Sequence, residues 1–484
     1  MDIVIPDVNW IALAPQIIVI LTALVVFLLG ALTGSGRKSY LAYVSLLGLV
    51  LAGLATLYFW DGHEPAFPGM VAVDALSAYF NLVFLIVTGL ALLASVNYVE
   101  RLGLSDAEYY GLMLTSLSGM MFLAGANSLI VVFLGLEILS IPLYVLAGFN
   151  RNDPRSGESA LKYFLLGAFA SGFLLYGIAM LYGGTGSTAL PAIAHYLASA
   201  SAVSAYVWIG FGLVVVGFGF KVALVPFHQW TPDVYQGAPT PVTAFMSVGA
   251  KAAGFAALIR ILIGALSGEA TGWSWVLAVL AVLTMTVGNV AAIAQKNLKR
   301  MLAYSSIAHA GYIAVGLVAG SVAGIQAVLF YLVAYTFMNI GAFAVLIALS
   351  RDQKDGESLD DFAGLGAAQP LLAAAMAVFM FSLAGLPPLA GFFGKLYVFA
   401  AAVQGGWWWL AAIGVLNSVI SAYFYLRVVL TMYMRPAASP RNDLTIGPAL
   451  TAALVVTAVL TVLIGLFPST LVWLSQAALV GWGS

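Results

Sequence analysis

Apolar runs of near-constant length alternate with short polar breaks from one end of the chain to the other. They fall at residues 10–33, 40–60, 73–98, 109–125, 127–149, 159–183, 204–226, 241–264, 273–294, 303–320, 324–349, 371–386, 407–433 and 448–468. Each is close to the ~20 apolar residues that carry a helix across a bilayer. The pattern predicts an all-α polytopic membrane protein of about 14 transmembrane helices. Two further apolar pieces, 228–236 and 391–404, read as second halves of helices broken by proline. The first run has no basic residue before it, whereas a signal peptide's leading segment would supply one. It is expected to be a retained span.

The basic residues orient this pattern. Arg37 and Lys38 follow the first helix, Arg101 the third, and Arg151 and Arg155 the fifth. Lys296, Lys299 and Arg300 follow the ninth, Arg351 and Lys354 the eleventh, and Arg435 and Arg441 the thirteenth. All fall on one side. Arg260, near the end of the eighth helix, is the main exception. Cytoplasmic loops carry the Lys/Arg excess, so this side is expected to be the cytoplasm, with both termini on the periplasmic face.

Two helices are interrupted. The seventh runs through Gly217, Gly219 and Lys221 to Pro226; the twelfth runs through Gly385 to Pro387, Pro388, Gly391, Gly394 and Lys395. Proline removes a backbone donor and clashes with the preceding turn. Such breaks survive in a membrane only where protein or water satisfies the freed backbone. Two breaks, each near a lysine, fit a transporter built from inverted repeats. The expected units are an N-terminal three-helix segment (1–108), a first five-helix repeat (109–264), a second inverted repeat (265–434), and a C-terminal helix and tail (435–484).

Composition narrows the chemistry. Hydrophobic residues make up 63% and charged residues 8% of the chain, against ~25% charged in a soluble domain. Mean hydropathy is +1.04. Net charge is −1, and no nucleic-acid motif is present. There is no cysteine, which excludes thiolate-bound iron–sulfur clusters, disulfides and CxxC metal sites. No Gly-rich phosphate loop, HExxH or GxSxG element occurs, and no metal-ligand spacing.

Five ionisable residues stand inside the apolar runs: Glu137, Lys162, Lys221, Lys251 and Lys395. A charge at mid-bilayer depth costs ~2.5–3.5 kcal/mol on insertion scales. Five on separate helices predict a polar path that moves protons or ions. Burial disfavours the charged form of a lone carboxyl or lone lysine, while adjacent partners keep each other charged. A lysine whose carboxylate partner approaches and withdraws is a switchable proton relay. Each unit of changed proton affinity is worth ~1.4 kcal/mol. Moving one charge against 100 mV costs ~2.3 kcal/mol. The two are of the same order. Lys162 lies near Glu158 and a helix start, where its amine could snorkel to the interface. His228 and His309, in apolar surroundings, can be structural or can relay protons. Arg260 and Arg427, near helix ends, are expected to anchor at headgroups, and Trp60, Trp273, Trp275 and Trp407 to Trp409 to form interfacial belts. His63 and His195 fall in expected turns.

Three stretches carry a resemblance. Lys221 to Phe245 contains His228-Gln229-Trp230-Thr231-Pro232-Asp233 followed by Tyr235-Gln236-Gly237-Ala238-Pro239-Thr240-Pro241-Val242-Thr243-Ala244-Phe245. The others are Asn297 to His309 and Leu386 to Lys395. Together they are similar to the antiporter-like membrane subunits of respiratory complex I, and the likeness covers essentially the whole chain. The wording after Asp233 differs from that usual in the sister subunits L and M, and the long lateral helix of subunit L is not found after the bundle. Ala367-Ala368-Gln369 stands before Pro370 where relatives often carry a basic residue.

The resemblance implies a fold of 14 helices with two inverted five-helix repeats. It implies that Glu137 pairs with Lys221, that Lys251 is central and that Lys395 lies near the outlet. It implies a proton-translocating subunit of NADH:quinone oxidoreductase in a bacterial inner membrane. Its partners would be other membrane subunits of the complex. NADH, FMN, iron–sulfur clusters and quinone would belong to partner subunits, with no cofactor in this chain. Two alternatives stand beside it. One is a subunit of a multi-subunit cation/proton antiporter, which the residues after His228 oppose. The other is a membrane scaffold that moves no ion, which gains nothing from buried charge.

Overall fold

The computed structural model describes residues 8–34, 38–60, 66–200, 202–350, 356–436 and 446–480. Arg37, Arg351, Lys354, Arg441 and His63 lie outside them. Among the described residues twelve helices are long and apolar enough to cross a membrane. The helix Asp106–Ala124 and the broken pair Pro370–Ala384 and Ala390–Gln404 complete fourteen spans.

The first to sixth spans are Ala14–Leu32, Tyr40–Tyr58, Ala75–Leu102, Asp106–Ala124, Leu129–Ala147 and Pro154–Thr185. The seventh is split into Ala205–Val222 and Trp230–Gly237. The eighth is Thr240–Ala265. The ninth to eleventh are Ala270–Ile293, Leu298–Val318 and Val322–Leu349. The broken pair is the twelfth, and Trp408–Met434 and Pro448–Leu466 are the last two. Two short helices, Leu190–Ser199 and Pro468–Ala477, have no counterpart in the expected pattern. His195 therefore lies on a helix rather than in a turn.

Local sequence sets the helix ends. Asp74 caps the third span by accepting from Ser77 N, and Asn297 caps the tenth by accepting from Arg300 N. Such side-chain acceptors satisfy amides that the first turn leaves without partners. The third span ends on Gly103 in the left-handed conformation, which glycine adopts without a Cβ penalty.

Helix order in depth follows from burial. In the tenth and eleventh spans 94% of the most apolar window is buried, against 28% in the first. The eighth, tenth and eleventh spans are the heart of the bundle; the first and second present their leucines outward. Glycine sets two close crossings. A Cβ at Gly119 would run into the backbone at Ile138 and Leu139 of the fifth span, and one at Gly288 would lie 2.7 Å from Ala308 N of the tenth. The fourth and fifth spans thus meet backbone to backbone, as do the ninth and tenth.

The turns grouped on one face by the sequence meet one another. Arg101 donates to the Ser350 carbonyl, Arg155 lies 3.5 Å from Glu357, and Arg300 lies 2.7 Å from Asp233. Three expectations at the helix ends are corrected. Arg260 does not reach a headgroup. It is 5% exposed, pairs with Asp74 (2.7 Å) and donates to the Ala124 carbonyl. A buried guanidinium needs that partnering. Arg427 donates to the carbonyls of Ile293 (2.9 Å) and Gln295 (2.7 Å), closing the end of the ninth span. Trp273 is 1% exposed and donates to the Leu266 carbonyl (2.9 Å), so it belongs to the core and not to a belt. Trp275, Trp407 and Trp409 cluster, with Trp275 and Trp409 stacked at 5.9 Å.

Candidate functional site: three buried lysines in a tyrosine and serine framework

The first break leaves Lys221 in the last turn of the first half of the seventh span, 4% exposed. Its ammonium donates to Ser140 Oγ (2.7 Å) and Tyr163 Oη (3.4 Å). Ser140 in turn donates to the Leu136 carbonyl (2.5 Å). Tyr163 is fixed by a parallel stack on Trp230 at 4.5 Å. Glu137 lies one helical turn before Ser140 and accepts from Ser171 Oγ (2.5 Å). No direct ion pair joins Glu137 to Lys221, so the pairing implied by the resemblance is not in contact here.

Lys251 stands on the eighth span, directly after a π-helical stretch, Met246–Ala250. Such stretches recur at functional sites. It is 2% exposed and donates to both the carbonyl and the hydroxyl of Ser306, the latter at 2.5 Å, with the Tyr335 ring 5.8 Å away. One turn on, Gly254 lets the eighth span close on the seventh: a Cβ there would lie 3.6 Å from Lys221 Cγ and closer still to Val222. The two lysines therefore flank one helix–helix contact.

The second break presents Lys395. Its ammonium donates to the Leu383 (3.1 Å) and Ala384 (2.9 Å) carbonyls and to Ser418 Oγ (2.8 Å), 4.8 Å from the Tyr312 ring. Those carbonyls are the unpaired C-terminal end of Pro370–Ala384, where the helix dipole attracts a cation. Gly385 at this end has φ +88°, and a Cβ there would lie 2.9 Å from Lys395 Cδ. At the first break the Phe220 carbonyl, which corresponds to that of Ser382, accepts from the Trp230 indole (3.0 Å).

His309 is 1% exposed and joins the last two lysines. It shares hydrogen bonds with Tyr331 (2.8 Å) and Tyr425 (3.1 Å), and its ring leans on Tyr335 at 5.0 Å. Tyr425 also bonds Ser305. Lys221, Lys251, His309 and Lys395 are thus buried on neighbouring spans, with Glu137 half-buried on the span beside Lys221; these five are called the series. Lys162 and His228 are not in it. Lys162 pairs with Glu158 and Asp233, both at 2.6 Å, near the end of the bundle. His228 sits on the neighbouring break, half-buried, with a buried Nδ1 that has no partner.

Sequence reasoning missed the partners. Ser140, Ser306 and Ser418 each receive a lysine, but a serine in an apolar helix usually bonds its own helix backbone, as Ser45 does to the Leu41 carbonyl (2.8 Å). Only the lysine spacing across helices marks them. Asp233 was also missed; its carboxylate joins Lys162 to Arg300. Among the described residues no group of three or more His, Cys, Asp or Glu could hold a metal ion.

The transmembrane family described as NADH:quinone oxidoreductase/Mrp antiporter matches residues 126–421, which contain all five members of the series. NADH-quinone oxidoreductase subunit N of Trichlorobacter lovleyi is 48% identical over 472 residues, 97% of either chain. This chain belongs to the subunit N family. A chain of respiratory complex I from Thermus thermophilus is 40% identical to it, with a TM-score of 0.82 over 95% of this chain and 98% of that one. A chain of the Mrp complex from Dietzia sp. DQ12-45-1b superposes with a TM-score of 0.84 at 23% identity over 96% of both. That match shows a shared fold. Membership of the subunit N family agrees with the wording after Asp233.

Proposed function

We propose that the chain is a proton-translocating membrane subunit of a bacterial NADH:quinone oxidoreductase, assembled with the other membrane subunits of that complex. Flavin, clusters and quinone chemistry belong to partner subunits. Residues 109–264 and 265–434 act as two inverted repeats, flanked by 1–108 and 435–484. The arginine- and lysine-rich face lies toward the cytoplasm, and both termini toward the periplasm.

The observation that carries this reading is the set of three buried ammonium groups, each held by a serine hydroxyl and set near a tyrosine ring. Neutral partners of this kind accept hydrogen bonds from an ammonium without fixing its charge. A carboxylate in contact would lock the charged form. A lysine so held can lose and regain its proton as neighbouring charge changes. Glu137, set back behind Ser140, biases Lys221 without clamping it. Lys221, Lys251, His309 and Lys395 then form the series, with Lys395 toward the outlet. Lys162 stands at the cytoplasmic end, held by Asp233, and His228 at the first break beside Lys221.

The test is NADH-driven proton pumping in sealed vesicles, comparing the wild type with Glu137→Gln and Lys221→Ala, with assembly checked on native gels. Loss of pumping and quinone reduction with normal assembly is expected. Normal pumping in both variants would sink the relay and leave a scaffold role.

A further inference from the structure

Asn339 stands on the eleventh span, wholly buried, and the series does not use it. Its side-chain nitrogen donates to Ser247 Oγ on the eighth span (2.7 Å). Ser247 in turn donates to the Ala244 carbonyl of its own helix (2.9 Å). One turn along, the same two spans meet again: Lys251 Nζ lies 5.8 Å from the centre of the Tyr335 ring. The two spans run in opposite directions, so Ser247–Asn339 and Lys251–Tyr335 are successive rungs, about one 5.4 Å helical turn apart. On the eighth span the π-helical stretch Met246–Ala250 fills the turn between them. The Ser247 rung is nearer to Thr240, and so to the face read as cytoplasmic.

Hydrogen-bonding groups at these rungs lack a partner among the described residues. Asn339 Oδ1 has none and Tyr335 Oη has none, although both residues are 0% exposed. An ammonium carries three donors. Lys251 directs two of them to the carbonyl and the hydroxyl of Ser306, and no acceptor for the third is found among the described residues. Turning the Asn339 amide over exchanges its ends and leaves the other end unpaired. Buried polar atoms are almost always paired, with protein or with ordered water. A buried water typically makes about three hydrogen bonds to such atoms. An amide end, a hydroxyl and an ammonium N–H are the partners that one water would complete, whereas an apolar filler would leave all of them unpaired.

We propose that a water is bound between the two rungs, held by the Asn339 amide and the Tyr335 hydroxyl, and that it receives the third N–H of Lys251. Asn339 and Tyr335 are then positioning residues for the central lysine. The part they play in turnover rests on the proton-translocating reading above; the water site itself does not. Water accepts from an ammonium and donates to a neutral amine, whereas the Ser306 carbonyl can only accept. The bound water therefore gives Lys251 a partner in both protonation states. No covalent bond breaks at this site. The hydrogen bond between water and Nζ reverses its direction as Lys251 gains or loses a proton.

The experiment uses the whole assembled complex. An electron cryomicroscopy map that resolves ordered water should show a peak within hydrogen-bonding distance of the Asn339 amide, Tyr335 Oη and Lys251 Nζ. In sealed vesicles, Tyr335→Phe and Asn339→Leu should lower NADH-driven proton pumping about tenfold, the rate cost of one lost hydrogen bond to a charged group. Assembly on native gels should be intact, and the map of Tyr335→Phe should lack the peak. Tyr335→Phe is the sharper variant. It deletes one atom that bonds nothing in the protein, so a purely structural tyrosine would tolerate it. Thr336→Val is the control, because its buried hydroxyl bonds the Leu332 carbonyl of its own helix (2.8 Å); pumping should be unchanged. A wild-type map with no peak at this place, wild-type pumping by Tyr335→Phe, or an equal loss in Thr336→Val would overturn the proposal. Normal pumping by Lys251→Met with the peak present in the wild type would instead overturn the proton-translocating series and leave the water site standing.

Discussion

At the residue scale the decisive feature is the kind of partner each buried lysine has. Among Lys221, Lys251 and Lys395 none bonds a carboxylate; each bonds a serine. Ser140→Ala should therefore lower coupled turnover by about an order of magnitude, read as NADH oxidation and proton uptake together. Ser45→Ala, which removes only a bond to the helix's own backbone, should be silent. Equal effects of the two would mean that the hydroxyl facing Lys221 has no special role. Gly385 makes the same point from the backbone. Its φ of +88° and the nearness of Lys395 Cδ leave no room for a side chain. Strain there is worth about 1–3 kcal/mol. Gly385→Ala should displace Lys395 from its carbonyls and cut turnover several-fold while the subunit still assembles on native gels.

At the element scale, spans and breaks were legible and contacts were not. Hydropathy gave the fourteen spans because lipid forces every backbone polar group into a helix, and prolines 226, 387 and 388 mark breaks that the structure contains. The sequence could not show which helix presses on which. The burial of Lys299, the pairing of Arg260 with Asp74 and the π-helical stretch before Lys251 all depend on neighbours distant in sequence. The gap between Glu137 and Lys221 has the same origin, since Ser140 and Ser171 come from two different spans. Glycine crossings supply a test of the packing. Gly119→Leu and Gly288→Leu, whose side chains would meet the backbone of the neighbouring span, should deplete the subunit from membranes. Gly172→Leu, which meets nothing within 4 Å, should be tolerated. Quantitative blotting of membranes distinguishes the two classes.

At the scale of the whole molecule, two ionic ties close opposite ends of one bundle. Asp233 binds the sixth span to the tenth at the face read as cytoplasmic, and Arg260 binds the eighth to Asp74 and Ala124 at the other. The proposed proton series lies between them. Removing one partner of a buried pair typically costs ~3–5 kcal/mol. Arg260→Met should lower the melting temperature of the purified complex's membrane arm, and Asp74→Asn in the same chain should recover part of the loss. No shift in melting would show that this tie carries no stability. On the proposed function the centre is decisive, with Lys251 standing between the seventh-span lysine and the His309–Lys395 end. The most direct measurement is the number of protons pumped per NADH oxidised by the complex carrying Lys251→Met in sealed vesicles. The account predicts loss of coupled pumping with the complex intact. A wild-type ratio at a wild-type rate would contradict it.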